Sequence, residues 1–269
     1  MKFRDKLMAP HGEKVKIEKC DPEDALGFEK NAKTKKVLEK NLKRLGELQY
    51  LLYAERKHAL LVVLQAMDAG GKDGTIRHVM SGVSPLGCKV TAFKAPTPEE
   101  LSHDFLWRVH RAVPEKGDIG IFNRSHYEDV LIVRVHKLAP ESAWSKRYDE
   151  INAFESLLAN DRVTILKFFL HISKDEQKKR FEERIADRNK RWKVSPADFH
   201  EREYWDDYMR AYEDALTRCN MKAAPWFIIP ANKKWFRNLA VAQIIVETLE
   251  DLQMKFPQPE IDVTKIKWK

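Results

Sequence analysis

Residues 59–75 read ALLVVLQAMDAGGKDGT. The run from Ala59 to Leu64 is apolar and rich in branched side chains, as a strand buried on both faces requires. It gives way to a small-residue loop, Ala66-Met67-Asp68-Ala69-Gly70-Gly71, which ends in Lys72. A helical segment follows at once, Thr75-Ile76-Arg77-His78-Val79-Met80. Strand, glycine loop, lysine and helix in this order make a phosphate cradle: loop amides and the helix N-terminus face the anion, and the lysine adds a mobile positive charge. Candidate phosphate contacts are Ala69, Gly70, Gly71, Lys72, Asp73, Gly74 and Thr75, with Arg77 one turn further on. The common pattern G-x-x-x-x-G-K-[ST] is broken twice. Ala66 stands at the first glycine, and Asp73 stands where Ser or Thr would meet magnesium. An ordinary strand-to-helix turn holding two glycines is the alternative.

The bulk properties fit a cytoplasmic enzyme. The chain has 269 residues, 43% of them apolar, enough for one α/β domain with a sizeable core. No apolar run approaches the ~18 residues of a membrane span, and the start MKFRDKLMAP lacks the apolar stretch of a signal peptide. Membrane is therefore not an expected partner. Cys20, Cys88 and Cys219 are odd in number and far apart, so they read as incidental thiols of a reducing compartment. The net charge is +8 and the pI near 9.2. Charge alone is weak evidence; of its two clusters, Lys33–Arg44 reads as a solvated face, and Lys178–Lys193 carries more. Glycines and prolines are scattered, with no linker or repeat.

Leu38, Leu42, Leu45, Leu48 and Leu52 recur at helical spacing and predict a helix over 33–55. Strands are expected at 59–65, 89–93, 119–122, 163–172 and 226–229. Helices are expected from 72 to before Pro85 and over 98–113, 125–138, 144–159, 175–191, 201–219 and 234–252. Residues 1–30 show no period and read as a surface wrap. Strands separated by helices imply a parallel sheet covered on both faces, with ligands at the carboxyl ends of its strands.

Two loops fall at that edge. The second is Ile121-Phe122-Asn123-Arg124-Ser125-His126-Tyr127-Glu128-Asp129. Phosphoryl transfer needs a carboxylate near the phosphate loop to hold magnesium or orient the nucleophile, and an arginine to neutralise the group in flight. Asn123, Arg124, Glu128 and Asp129 stand in position for these tasks. Asn123 or Ser125 can also serve as a helix cap, and both readings can hold together.

The pair M-D-A-G-G-K-D-G and F-N-R-S-H-Y-E-D resembles the family-2 polyphosphate kinases, and the similarity extends to the PWFIIPANKKWFRN segment at 225–238. The resemblance implies a P-loop-kinase-like fold with a helical lid. It also implies phosphoryl transfer between inorganic polyphosphate and a nucleotide, with magnesium or manganese. Asp68 and Lys72 match the family's loop aspartate, a metal ligand, and its lysine. Asn123 falls where many members carry aspartate, and Glu128 where those members carry asparagine. This version resembles the subgroup that phosphorylates both AMP and ADP.

A lid can be argued on its own. Arg180, Arg184 and Arg188 are four apart on one face of an expected helix, and Arg191 extends the stripe, with Trp192 as an anchor. Guanidiniums spaced ~6 Å per turn suit a chain of phosphates. A solvated face paired with Glu182, Glu183 and Asp187 is the alternative. Lys89 and Lys94 are further candidate phosphate contacts.

The expected whole is a single domain over 1–269, with an extension at about 1–30 and a lid at about 174–200. Asp68, Lys72, Asn123, Arg124 and Glu128 are its expected catalytic group. Partners are polyphosphate, AMP, ADP and ATP and further copies of the chain, with no nucleic acid. Two rivals stay open: an ATP-dependent nucleotide or nucleoside kinase on the same fold, and a non-catalytic polyanion-binding protein.

Overall fold

The computed structural model describes residues 2–261. Five strands, β1 (Ala59–Gln65), β2 (Cys88–Ala92), β3 (Ile119–Asn123), β4 (Val163–His171) and β5 (Trp226–Pro230), form one parallel sheet in the order β2-β3-β1-β4-β5. β1 and β5 are buried along their whole length, and β4 nearly so. The apolar runs therefore belong to a sheet with helices on both faces, a P-loop-kinase-like arrangement. The six longer helices are α1 (Ala32–Glu55), α2 (Lys72–Val79), α3 (Arg147–Asn160), α4 (Lys174–Ala186), α5 (Trp205–Arg218) and α6 (Lys234–Asp251). α6 packs against α1 and α2, while α3 covers β4. The leucine spacing that predicts α1 holds to within a residue, and Asn31 caps its start by accepting from the Thr34 amide.

Registry places the site. Leu64 pairs with Asn123, and Asn123 with Ala92, so the carboxyl ends of β1, β3 and β2 lie level. The loops after β1 and β3 are thus held side by side.

Several expected helices are shorter than the pattern suggests. The segment 98–113 is broken into Pro98–Leu101 and Trp107–His110, because Asp104 turns the chain by accepting from the Leu106 amide. The segment 125–138 is a 3-10 turn, His126–Asp129, followed by a single short helix, Ile132–Val135. Ser125 is its cap and accepts from the Tyr127 amide. The segment 201–219 also divides, with α5 preceded by a 3-10 turn at Arg202–Tyr204. Residues 2–30 bury apolar anchors: Phe3 packs near Phe28 and Phe236, and Met8 bridges to Phe227 along the outer edge of β5. Covering that edge removes an open strand from solvent.

Candidate active site

The loop after β1 turns sharply, with the Gly70 amide donating to Met67 O at 2.9 Å. A Cβ on Gly70 would stand 2.5 Å from the Ala66 methyl and 2.7 Å from Met67 O, so this position has room for no side chain. Ala66 in place of the usual first glycine is accommodated by that vacancy. Gly71 is the N-cap of α2 at φ +103°, a conformation that suits glycine. Lys72 opens the helix. Its ammonium is buried and donates to Ala66 O at 2.8 Å. Burial, reinforced by the like charge of Arg124, pushes the Lys72 ammonium down to about 8. Thr75 turns its hydroxyl onto Gly71 O and lies buried in the helix.

The loop after β3 meets this one through charge. Arg124 has φ +64° and anchors its amide on Leu64 O. A non-glycine residue there is uncommon and marks a constrained position. Its guanidinium reaches Asp68 Oδ1 at 2.6 Å and Glu128 Oε2 at 3.3 Å. Glu128, then Asp68, hold that guanidinium above its ordinary range against burial. Gln65 fixes the other Glu128 oxygen at 3.0 Å. Asn123 donates to Asp73 Oδ1 at 2.8 Å, tying the rim of one loop to the other.

Beneath Arg124 lies a buried network. Lys167 bonds to Glu155, Tyr127 Oη and Cys219 O, and Glu155 also takes bonds from Tyr127 and His126. All four side chains are essentially inaccessible. Drawing His126 and Tyr127 inward is what tightens this segment into a 3-10 turn. One sequence signal pointed to this network: Lys167 is a charge in the middle of an apolar strand.

Two cavities of about 490 Å³ each open on these loops. The first is a cleft over the phosphate loop, lined by Asp68 to Gly74 with Lys94, Asn123, Arg124, Arg184, Lys190, Trp192 and Lys193. The second is more apolar, lined by Phe93, Pro96, Leu101, Ile132, Val133 and Leu138 with Arg108, Arg147, Glu128 and Asp129 as polar groups. Phe93, Lys94 and Arg124 belong to both. Burial pushes Asp129 up to about 6, against the pull of Arg147 and Arg108; Arg147 holds it at 2.8 Å.

The expected arginine stripe is not a stripe. α4 ends at Ala186, where Asp187 turns to extended backbone. Arg188 is exposed and lines neither cavity, and Arg191 donates to Ile185 O, closing the helix end. Arg180 faces inward. It is 5% exposed and donates to Ala69 O, Gly70 O, Ala231 O and Asn232 O, so it braces the phosphate loop from below. Of the four, Arg184 alone reaches the cleft. Trp192 is 77% exposed and so anchors nothing in the core. Lys89 is a further correction. It sits near the amino end of β2 beside Asp118, away from the cleft, whereas Lys94 lines the cleft. Arg77 is exposed and lines neither cavity. Of the Lys178–Lys193 charge cluster, Lys190 and Lys193 also join the cleft, from the segment after α4; sequence reasoning missed Arg237, which lies against Gly71. Sequence distance hides it: nothing local says that a residue so far along the chain returns to the loop.

Among the described residues no three His, Cys, Asp or Glu side chains cluster as a metal cage. A divalent cation is still a chemical fit, because magnesium commonly takes one or two carboxylates and leaves the rest to phosphates and water. Asp68, partly exposed, Asp73 and Asp198 are the carboxylates that line the cleft.

A glycine loop on a helix N-terminus, a buried lysine, an Asp–Arg–Glu chain and a cation-lined cleft define a P-loop-kinase-like phosphotransferase. Comparison with known proteins gives its family. The profile of polyphosphate kinase 2 (PPK2) matches residues 28–257, and the chain belongs to that family. It is 54% identical over 255 residues to the AMP/ADP-polyphosphate phosphotransferase of Meiothermus ruber, covering 94% of this chain and 95% of that protein. It is 47% identical to the ADP-polyphosphate phosphotransferase of Rhodopseudomonas palustris, covering 96% and 94%. The crystal structure of polyphosphate kinase 2 from Arthrobacter aurescens TC1 superposes with a TM-score of 0.94 at 45% identity, over 98% of this chain and 94% of that one. A kinase of this kind works with a divalent metal. No described helix is long and apolar enough to cross a membrane.

Proposed function

We propose that the protein moves the terminal phosphate of inorganic polyphosphate to AMP and ADP. One observation carries the reading: a cation-lined cleft and a more apolar cavity meet at Arg124, which stands between Asp68 and Glu128. The cleft suits a phosphate polymer, and the apolar cavity suits a nucleoside. The reacting groups would then meet over the loop.

In the transfer, the bond from the terminal phosphorus to its bridging oxygen breaks, and a bond to an acceptor phosphate oxygen forms. The acceptor is already an anion, so no strong general base is required. Positioning and charge neutralisation supply the catalysis. Lys72 and the loop amides hold the phosphates, Arg124 neutralises the group in flight, and Arg184 and Lys193 grip the chain beyond it. Asp68, with Asp73, would hold magnesium, or manganese in its stead, which would supply positive charge to the phosphates. Glu128 faces the acceptor. Asn123 and Glu128, together with the Meiothermus ruber relative, support AMP as well as ADP as acceptor. The exposed side chains Tyr53, Leu86 and Val90, close to the open edge of β2, support self-association.

The test is a matrix of donors and acceptors. Purified protein with magnesium is given polyphosphate or ATP as donor and AMP, ADP or adenosine as acceptor, and nucleotides are separated by chromatography. Polyphosphate should convert AMP to ADP and ADP to ATP. Turnover with ATP and adenosine, and none with polyphosphate, would favour an ATP-dependent kinase instead.

A further inference from the structure

Arg237 lies behind the phosphate loop and lines neither cavity, yet Gly71 and Gly74, against which it packs, both line the cleft. A Cβ on Gly71 would stand 1.9 Å from its Nη1, and one on Gly74 would stand 3.3 Å from its Nη2. The guanidinium is therefore pressed against loop backbone at two positions that carry no side chain. The residue is 3% exposed. Its Nε and Nη2 both donate to Asn238 Oδ1, at 3.2 and 2.8 Å, and Nη1 has no protein acceptor among the described residues.

What is missing is a counter-charge. No carboxylate pairs with Arg237 among the described residues. Of the other buried cations, Lys167 and Arg180 have Glu155 and Glu176, and Lys72 lines the cleft itself. Burial, and then the like charge of Arg180, push the Arg237 guanidinium down to about 10. A buried charge with no partner is unfavourable, and native interiors ordinarily pair it. Across Gly71 from the guanidinium lies the cleft over the phosphate loop.

We propose that Arg237 is a second cation of the phosphate loop, held uncompensated behind Gly71 so that a phosphate chain in the cleft supplies its counter-charge. This rests on the reading of the cleft as a polyphosphate site. Arg237 touches no phosphate; it is a positioning residue that acts through its field and through the loop backbone. Gly71 is required twice, by its backbone angle and by the guanidinium behind it.

Asn238→Asp tests the inference without removing the arginine. The carboxylate keeps the shape of the amide and accepts the same two bonds, but it supplies an internal counter-charge. Binding of inorganic tripolyphosphate to the purified chain is measured by calorimetry in magnesium-free buffer of fixed ionic strength. Melting temperature and the Michaelis constants for polyphosphate and AMP are measured alongside. Wild type should bind. Asn238→Asp should melt higher and bind about tenfold more weakly, as for a neutralised charge at a buried anion contact. Its Michaelis constant for polyphosphate should rise in step, while that for AMP stays put. Arg237→Met should repeat the loss, and Arg237→Lys should retain most of the affinity. If wild type binds and Asn238→Asp binds equally well, Arg237 has no electrostatic role and the inference is overturned. Equal rises in both Michaelis constants would also overturn it, since they report distortion. No binding by wild type would overturn the polyphosphate reading itself, and the inference with it.

Discussion

Lys72 ties activity and stability to pH in opposite directions. Its ammonium is buried under the phosphate loop and pushed from 10.5 down to about 8, by burial first and by Arg124 second. At about 1.4 kcal/mol for each pH unit, keeping it charged costs the empty protein about 3 kcal/mol. The sign follows from proton counting. Between about 8 and 10.5 the unfolded chain holds a proton that the folded chain has released, so stability rises with pH across that window. Below about 8 the penalty is present in full. Activity runs the other way, because only the charged ammonium neutralises phosphate. The efficiency kcat/KM reports the free enzyme. For polyphosphate it should be level below pH 8 and fall about tenfold for each pH unit above it. Lys72→Arg is the control. A guanidinium stays charged throughout, while the substrates titrate identically. The variant should be slower at pH 7 but should lack the break, and its melting temperature should not climb above pH 8. A wild-type profile that is flat to pH 10, or an identical break in Lys72→Arg, would refute the assignment of Lys72 as the charge that holds the donor.

Three further outcomes are expected. Arg184→Ala with Lys193→Ala should raise the Michaelis constant for polyphosphate and flatten its log–log salt dependence by roughly one unit for each lost contact, while Arg188→Ala should change neither. Glu128→Asn removes a carboxylate from the wall shared with the acceptor cavity. It should lower the efficiency with AMP more than with ADP, and a ratio unchanged within about twofold would place acceptor choice elsewhere. Lys167→Met strands Glu155 in the core and should destabilise by about 3–5 kcal/mol in denaturant titration. A loss under about 1 kcal/mol would mean that the network is not holding the turn after Arg124.

The sheet was legible because β1, β3, β4 and β5 carry mostly apolar side chains, and the limits expected for β1 match the structure. The phosphate loop was legible because glycine, lysine and the following helix are adjacent in sequence. Legibility failed where a side chain's partner lies far away. The helical period after Ser173 is real, but it cannot say that Arg180 turns inward to four backbone carbonyls, nor that Asp187 ends the helix before Arg188. The same holds for the turn at 126–129, where Glu155 and Lys167 override helix propensity by claiming Tyr127. Arg237 left no local trace at all, since its meaning depends on a glycine more than half the chain away.

The central claim is that the loop of Asp68 and Lys72 passes phosphate from a polymer in the cleft to a nucleotide beside it. Its most direct test is a label-transfer experiment with polyphosphate carrying a radioactive terminal phosphate. It is mixed with unlabelled AMP, magnesium and an excess of enzyme, and quenched within one turnover. The account predicts label in the β-phosphate of ADP at a rate lowered by a hundredfold or more in Asp68→Asn and Lys72→Met, on the scale of a lost electrostatic contact, about 3 kcal/mol. Label appearing only as inorganic phosphate, or transfer at wild-type rates in both variants, would contradict it.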